Sequence, residues 1–567
     1  MKILNNLLQF TLIYAFVAFF PFVGLSNQTN EGKPIEKTHA LSKKSVKGYL
    51  FEMSFNEAGN IEVVYYISLG KKQSGHEIYE FDKSLNFLGV KEVPERKTRY
   101  KEKPTKTRKA VDVSVGGGSS FNILSTKLNL HTATYTYTWD VERQKYRIKR
   151  SDVKDVKARN VDNNKYNGVA AFEGVDGNPI VLATSVKNKD GNAKAREISI
   201  LKIGENLDIL DTPIEFDVEH TLVYTFELDN DLPAEDSDEL VYDGSDIVFI
   251  FAPNSGSLNE YTWLQIDRKG NIKHRFKIKA PSNVMAITGH NTEIDGTVYL
   301  CALSADNKKS FDDVIGEYTP IENNHYLKYG TPNYRMETYE RKIEKVKFES
   351  FITIKIQSGK VIYMNSTPIK DFKSKLVTPP NQKKGYSYDG KRFVLSDFEL
   401  LPDESFIISG QIKVPVFKQE PKNYQYTHLI CLRIDKNGKL ISQFSYKPGS
   451  ESDKNAAYFP IPQQFILGKD KNNLYWVNYE IKTTSKTYSS FSAYYYNQVS
   501  VMMPNYYPSI GKIDLSTNKI SNFEIAGKGS FYVNRPYFYL NIPGGSSKVY
   551  LMQDKKGKLM LMKYDFN

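Results

Sequence analysis

With 567 residues and only two cysteines, the chain is too long for one small core and too poor in thiols for a disulfide scaffold or a cysteine-clustered metal site. Its 39 Tyr and 32 Phe suit pleated, half-buried surfaces, so composition favours strands over helices. The net charge of +12 is concentrated in residues 91–109 and 143–159. Without a recognisable nucleic-acid module, these stretches read as solvated loops or as a patch for anionic glycans or lipid head groups.

The N-terminus reads as a secretory signal over residues 1–26. Lys2 supplies the positive charge, residues 7–23 are apolar but for Gln9 and Thr11, and Gly24-Leu25-Ser26 supplies small residues at a cleavage site. Uncleaved, the same run is borderline for a membrane anchor. No second run of that length follows, so the exported chain is expected not to be an integral helical membrane protein. Residues 27–45 are polar and without periodicity, and read as a flexible lead-in. Residues 91–109 hold Lys91, Arg96, Lys97 and Arg99 among their basic residues, with Pro94 and Pro104. They are expected to form a mobile link.

Strand signals begin near residue 46 and run to the C-terminus. One unit recurs: an apolar strand ending in Asp, a short polar turn, and another apolar strand. Its clearest copies run from Trp263 through Asp267 and Gly270 to Ile272, and from Cys431 through Asp435 and Gly438 to Leu440. Looser copies turn at Asp82, Asp140, Glu205, Ser358, Asp514 and Asp554. These Asp side chains suit Asx-type hydrogen bonding in a hairpin better than catalysis. A second kind of hairpin alternates with the first, turning for example between Asn56 and Asn60 and between Pro402 and Ser405. One hairpin of each kind makes a four-stranded antiparallel sheet. About eight such units fit the chain, the least regular lying between Ala110 and Lys149.

Several four-stranded sheets cover one another by radial stacking, so the expected fold is all-β: a single β-propeller of seven or eight blades over residues 46–567. Tandem β-sandwich domains are the alternative. Long insertions fall at 95–110, 305–347, 372–391, 414–427 and 483–508. If the strand assignment holds they crowd one face, and loops on a rigid scaffold carry function.

Residues 483–508 are rich in aromatics. Tyr488, Phe491, Tyr494, Tyr495, Tyr496, Tyr506 and Tyr507 are the candidate binding residues, by stacking on sugar rings or anchoring an interface. Folding back onto their own scaffold is the plainer role. Cys301 and Cys431 sit in apolar strand patterns and read as buried hydrophobes, with a disulfide left open. The eight His form no metal-binding spacing, no Gly-x-Ser-x-Gly elbow occurs, and Gly116-Gly117-Gly118-Ser119-Ser120 lacks the Lys of a phosphate loop. Among 65 acidic residues no motif selects a catalytic pair. The acidic stretch 227–246 lacks EF-hand spacing and reads as a solvated loop, with Ca2+ the one cofactor left open.

The Lys/Asn/Tyr/Ile-rich composition, the signal, and the unit from Leu400 through Pro402 and Phe406 to Gly410 resemble exported β-propeller-like proteins of the Bacteroidota. The resemblance carries no catalytic residue. The expectation is therefore a non-enzymatic exported propeller, without a cofactor, that binds a glycan, a cell-envelope component or a protein through its long-loop face. The alternative is a glycan-acting hydrolase or lyase with carboxylates in the central funnel.

Overall fold

The computed structural model describes residues 34–566, apart from 70–73, 94–104, 116–127, 141–144, 162–164, 175–178, 186–193, 229–244, 294, 307, 317–341, 344, 416–423, 450–458, 490–498, 527–529, 534–538, 544–545 and 555. The chain is all-β and its sheets are antiparallel, but for one short parallel strand at an outer edge. It divides into two compact units, residues 1–96, 451–456 and 464–567, and residues 97–450 and 457–463.

In the first unit, β1 (Ile35–Ala40) precedes a meander of β2 (Tyr49–Phe55), β3 (Ile61–Ser68), β4 (Ser74–Phe81) and β5 (Phe87–Val93). The second unit begins with a three-stranded sheet of β6 (Lys106–Val115), β7 (Leu128–Asp140) and β8 (Lys145–Val156). Then comes a seven-stranded sheet: β9 (Tyr166–Glu173), β10 (Pro179–Ser185), β11 (Lys194–Ile203), β12 (Ile209–Glu227), β13 (Ile247–Pro253), β14 (Glu260–Ile266) and β15 (Ile272–Lys279). The nineteen-residue β12 pairs with β11 mainly through its first half and with β13 through its second. The large sheet is thus two four-stranded units sharing one continuous strand.

Two further meanders follow. One is β16 (Val284–Thr292), β17 (Val298–Ala305), β18 (Ser350–Gln357) and β19 (Lys360–Pro368). After β20 (Leu376–Val377), the other is β21 (Phe393–Leu400), β22 (Phe406–Pro415), β23 (Tyr424–Ile434) and β24 (Leu440–Tyr446), with β20 on its outer edge. The chain ends with β25 (Gln463–Leu467), β26 (Asn473–Ser489), β27 (Val499–Asp514), β28 (Lys519–Ile520), β29 (Glu524–Ile525), β30 (Tyr539–Asn541), β31 (Ser547–Gln553) and β32 (Lys558–Asp565). Middle strands such as β13 and β17 are buried at every position, whereas the outer β5 and β15 are largely exposed. Both faces of each middle strand are covered, which explains why they read as unbroken apolar runs.

The repeated Asp closes its turn as its chemistry requires. Asp267 Oδ1 accepts the backbone N–H groups of Lys269 and Asn271, both at 2.8 Å, and Asp82, Asp435 and Asp554 accept the equivalent pair. The third residue after the Asp takes positive φ: Gly270, Gly438 and Gly557, but Leu85 in the first copy. Against the opposing effect of burial, the Asn271 side-chain amide and then the two backbone N–H groups hold the Asp267 carboxyl below its usual range.

The 27–45 segment differs from the expected flexible lead-in where it is described. Residues 35–40 form β1, which pairs along its length with β32, from Ile35 opposite Lys563 to Ala40 opposite Lys558. The final sheet therefore has the order β1-β32-β31-β30. Its outer strand comes from the other end of the chain. A helical turn at Lys43–Lys47 follows, capped by Ser42. Ser42 Oγ and Tyr79 OH donate to Glu77 Oε2 at 2.5 and 2.8 Å, and Ser45 Oγ donates to the same oxygen. His39 of β1 stacks on Phe87 of β5 at 3.9 Å between ring centroids. Met53, Val63 and Phe81 of the first sheet share a core with Val549, Leu551 and Leu561 of the last. The polar N-terminal strand is held by ladder bonds and this clasp, neither of which leaves a hydrophobic period in the sequence.

The 483–508 stretch also differs from a loop. β26 and β27 pair through most of it, with Tyr488 opposite Ser500 and Tyr506 opposite Ile481. Alternating Thr, Tyr and Val favour extension over an irregular connection. Cys301 and Cys431 are free and fully buried, which answers the open question of a disulfide. Residues 1–33, most of the basic 91–109 segment, the Gly116–Ser120 run and most of the acidic 227–246 stretch lie outside the described residues. Among the described residues no helix is long and apolar enough to cross a membrane.

Two outcomes follow from these turns and clasps. Asp267→Ala removes two backbone hydrogen bonds and should cost about 1 kcal/mol in a denaturant titration; an unchanged midpoint would contradict the Asx reading. Burial works to raise the Glu77 carboxyl, but bonds from Ser42, Ser45 and Tyr79 and the charge of Lys44 outweigh it, and the net shift is downward. A depressed folded value gives stability that is present above the unfolded carboxylate value and lost as pH falls through the folded one. Wild-type protein should therefore lose more stability than Glu77→Gln between about pH 6 and pH 3. Equal slopes for the two proteins would contradict the clasp.

Candidate active site

The first strand of five of the four-stranded units carries a β-bulge; four of these are edge strands, and β12 is bulged in the half that β11 does not pair. The extra residue is Phe51 on β2, Val169 on β9, Val223 on β12, Thr288 on β16 and Ser396 on β21. On β2, β12, β16 and β21 it lies five positions before the residue whose N–H opens the following turn: Asn56, Leu228, Glu293 and Leu401. A bulge bends its strand, blunts an edge and re-aims the side chains beside it. The residues just after the bulge, Tyr224 on β12, Gly289 on β16 and Asp397 on β21, are therefore equivalent.

Within the second unit these bulged edges lie side by side. Tyr224 OH and His290 Nδ1 are 3.0 Å apart, joining β12 to β16. Phe226 packs on the His290 ring at 4.1 Å between centroids. A β-carbon on Gly289 would sit 2.8 Å from Leu395 Cδ1, so β16 and β21 are in tight contact. On β22, a β-carbon on Gly410 would sit 2.3 Å from the Val394 carbonyl oxygen. Glycine there lets the bulged β21 lie against its neighbour.

Asp397 and Glu399 alternate with Phe398 on β21. Phe398 stacks on Phe406 at 5.0 Å, so the two carboxylates share the opposite side of the pleat. Asp397 Oδ1 accepts the backbone N–H of Phe398 at 2.9 Å. Burial nevertheless pushes the Asp397 carboxyl above its usual range. Burial does the same to Glu399, reinforced by the charges of Asp397 and Glu293. Glu399 is exposed to water, yet the surrounding strands still strip its carboxylate of solvent. The carboxylate is thus partly desolvated by neighbouring strands at an otherwise open position. Among the described residues no cationic side chain pairs with Glu293, Asp397 or Glu399.

The His290 imidazole is pushed down to about 4 by burial, so it is neutral at pH 7. Tyr224 OH and Nδ1 share a hydrogen bond whose direction is set by the imidazole tautomer. His290 belongs to the contact between β12 and β16, with Tyr224 and Phe226, while the raised carboxyls of Asp397 and Glu399 lie on β21. Sequence reasoning passed over these residues because no motif marks them. The usable signal was Asp397-Phe398-Glu399, two acids on one side of a strand whose other side is apolar.

The aromatic candidates do not gather here. Tyr507 is buried, lies 6.5 Å between centroids from Tyr532, and carries the Lys482 ammonium at 5.8 Å from its ring. Tyr506 is half-buried and packs with Val533 and Met552. The Tyr488 side chain and all of Phe491, Tyr494, Tyr495 and Tyr496 lie outside the described residues.

No family model matches the chain, and no curated protein matches it. Among solved structures, it is similar to a single-residue variant of Synechocystis apocarotenoid oxygenase, at 9% identity and a TM-score of 0.29, over 80% of this chain and 84% of that one. It is similar to the lignostilbene dioxygenase of Pseudomonas brassicacearum, at 9% identity and 0.27, over 82% and 86%. A eukaryotic initiation factor is found at 9% identity and 0.24, over 94% and 90%. Scores this low carry neither an activity nor a residue to this chain.

The oxygenases and the dioxygenase are enzymes, and this corrects the expectation of a non-enzymatic binding protein, which is given up. The expectation of no cofactor, with Ca2+ left open, is corrected with it, because carotenoid oxygenases use iron. The described residues do not supply an iron site: no group of three or more His, Cys, Asp or Glu among them is placed to hold a metal ion.

His290 should stay neutral down to about pH 5 in an NMR titration of the imidazole carbons. Titration near the ordinary histidine value would contradict its burial. Gly410→Ala should destabilise the protein by about 1–3 kcal/mol through the clash with the Val394 carbonyl; a neutral substitution would show that β21 is not held close to β22.

Proposed function

We propose that this chain is an exported β-propeller enzyme that performs acid–base chemistry, hydrolytic or eliminative, on a glycan. The ring architecture is supported by seven four-stranded units and one three-stranded sheet among the described residues, by the bulge on the first strand of five of those units, and by the last sheet, which takes β1 from the opposite terminus. A sheet completed by both ends of the chain is what closure of a ring requires. Export is supported by the apolar run at residues 7–23 and the Gly24-Leu25-Ser26 site, and the resemblance to exported Bacteroidota propellers agrees with it.

One observation carries the catalytic reading. Glu399 is open to water and yet its carboxyl is raised, with Asp397 on the same side of the strand. Two residues along an extended strand separate side-chain origins by about 6.6 Å. Inverting glycoside hydrolysis needs carboxyls about 6.5–9.5 Å apart, with a water between them. Glu399, raised by burial and by its acidic neighbours, is the proton donor to a departing sugar oxygen in this reading. Asp397, with one oxygen fixed by the Phe398 N–H, is the base that takes a proton from the attacking water.

Glu399→Gln keeps the shape and removes the proton donor. It should lower kcat on a hydrolysed polysaccharide by about 10²–10⁴, with KM much less affected. Unchanged turnover would overturn the assignment. The mature protein should begin at Asn27, as read by N-terminal sequencing of the exported product. An intact Met1 on a membrane-bound product would show an anchor instead.

A further inference from the structure

The three-stranded sheet β6-β7-β8 changes character along its length. At one end Val111 and Leu130 are buried and share a core with Val181, Ala183, Leu201 and Ile203 of β10 and β11. Away from that core, the same side of the sheet turns from apolar to hydroxyl and amine. Lys109 lies opposite Thr134, Thr134 opposite Ser151, and Thr136 opposite Lys149. Residues directly opposite share a side of the pleat. A bulge on β8 after Ser151 brings Lys154 opposite Thr132 and Val156 opposite Leu130. The insertion that completes the packed end therefore also puts a third lysine, in place of Val153, on this side.

Charge is segregated along the same axis. Residues 106–109 and 145–150 hold seven basic residues and no acidic one, and residues 134–139 of β7 carry no charge. Asp155, nearer the packed end, is taken up by His131 Nδ1 at 2.6 Å. Lys109, Lys149 and Lys154 are exposed, and among the described residues none has an ion-pair partner. They stand one in each of three successive rows, about 6.7 Å apart along an extended strand, so they span about 13 Å. These rows hold no aromatic residue on which a nucleic-acid base could stack. Their one apolar residue, Val111, is buried, so nothing there enters a membrane. What the face offers is unpaired ammonium groups with threonine and serine hydroxyls between them, donors that suit a carboxylate-bearing chain rich in hydroxyls.

We propose that this side of β6-β7-β8 is a docking surface for a polyuronate, an acidic polysaccharide. Its carboxylates are received by Lys109, Lys149 and Lys154, and its hydroxyls by the threonines between them. That the polyanion is a sugar rests on the glycan reading above. That the partner is an extended polyanion rests on these residues alone. The surface lies on a different sheet from Asp397 and Glu399, so binding here is separable from turnover.

The test is calorimetric titration of the full-length mature protein with polygalacturonate, with dextran as the uncharged counterpart. Polygalacturonate should bind and dextran should not. The affinity should fall as salt rises, because exposed charges are screened over about 8 Å at physiological ionic strength. Lys109→Gln, Lys149→Gln and Lys154→Gln should each weaken binding about two- to fivefold, the worth of one exposed ion pair, and together about tenfold or more. All three residues are exposed, so the variants keep the fold. No binding of polygalacturonate, equal binding of dextran, or an affinity unchanged in the triple variant would overturn the proposal. Tighter binding of a single-stranded oligonucleotide or of phosphatidylglycerol vesicles, at equal charge concentration, would assign the face to another partner and overturn it too. Polygalacturonate binding that the triple variant loses, in a protein that turns over no glycan, would sink the catalytic reading and leave this one standing.

Discussion

The extra residue on the first strand of the meanders is the constraint from which the rest of the site follows. An edge strand left flat would expose a row of free backbone groups. One inserted residue at Val223, Thr288 or Ser396 bends the strand and breaks that row. It also resets which side chains face which way, because strand periodicity is two and a single insertion inverts it. On β21 the reset puts Asp397 and Glu399 on one side of the strand and Phe398 on the other. Without the bulge the hydrophobic period before it would continue and the acids would fall on the other side of the strand.

Close approach of these edges depends on small residues as much as on the bulges. Gly289 and Gly410 sit where a methyl group would meet Leu395 and the Val394 carbonyl. Packing, not charge, brings the Glu293 charge to bear on Glu399, and the cost appears in the raised Glu399 carboxyl, as burial alone raises that of Asp397. Groups held at such a cost mark functional sites more often than structural ones. The N-terminal strand is the corresponding constraint on folding. Its partner β32 lies at the far end of the chain, so the last sheet forms only after nearly all the sequence is available, and such long-range pairing is slow.

The turns were legible because their chemistry is local. An Asp followed two and four residues later by the N–H groups it accepts is readable from sequence, and Asp82, Asp267, Asp435 and Asp554 all behave so. The alternating hairpins were legible for the same reason, and the irregular unit near residues 110–149 became a three-stranded sheet. Ile35–Ala40 was not legible: its Glu, Lys, Thr and His show no apolar period, and what holds it is backbone pairing with β32 and the stack of His39 on Phe87. Tyr506 and Tyr507 read as exposed binding residues because aromatic content alone does not reveal a paired strand. Asp397 and Glu399 were hidden among many acids, since their meaning comes from the approach of β16, which no local pattern records.

The central claim is that Asp397 and Glu399, on one side of β21, carry carboxyls raised by burial, with the Asp397 charge raising Glu399 further. A carbon-13 NMR titration of the Asp397 and Glu399 carboxyl groups, assigned by their Asn and Gln variants, tests it most directly. The account predicts that both titrate above the ordinary carboxylate range, and that Glu399 moves down when Asp397 is replaced by Asn. Titration of both groups at or below the ordinary range, with no response of one to loss of the other, would contradict it.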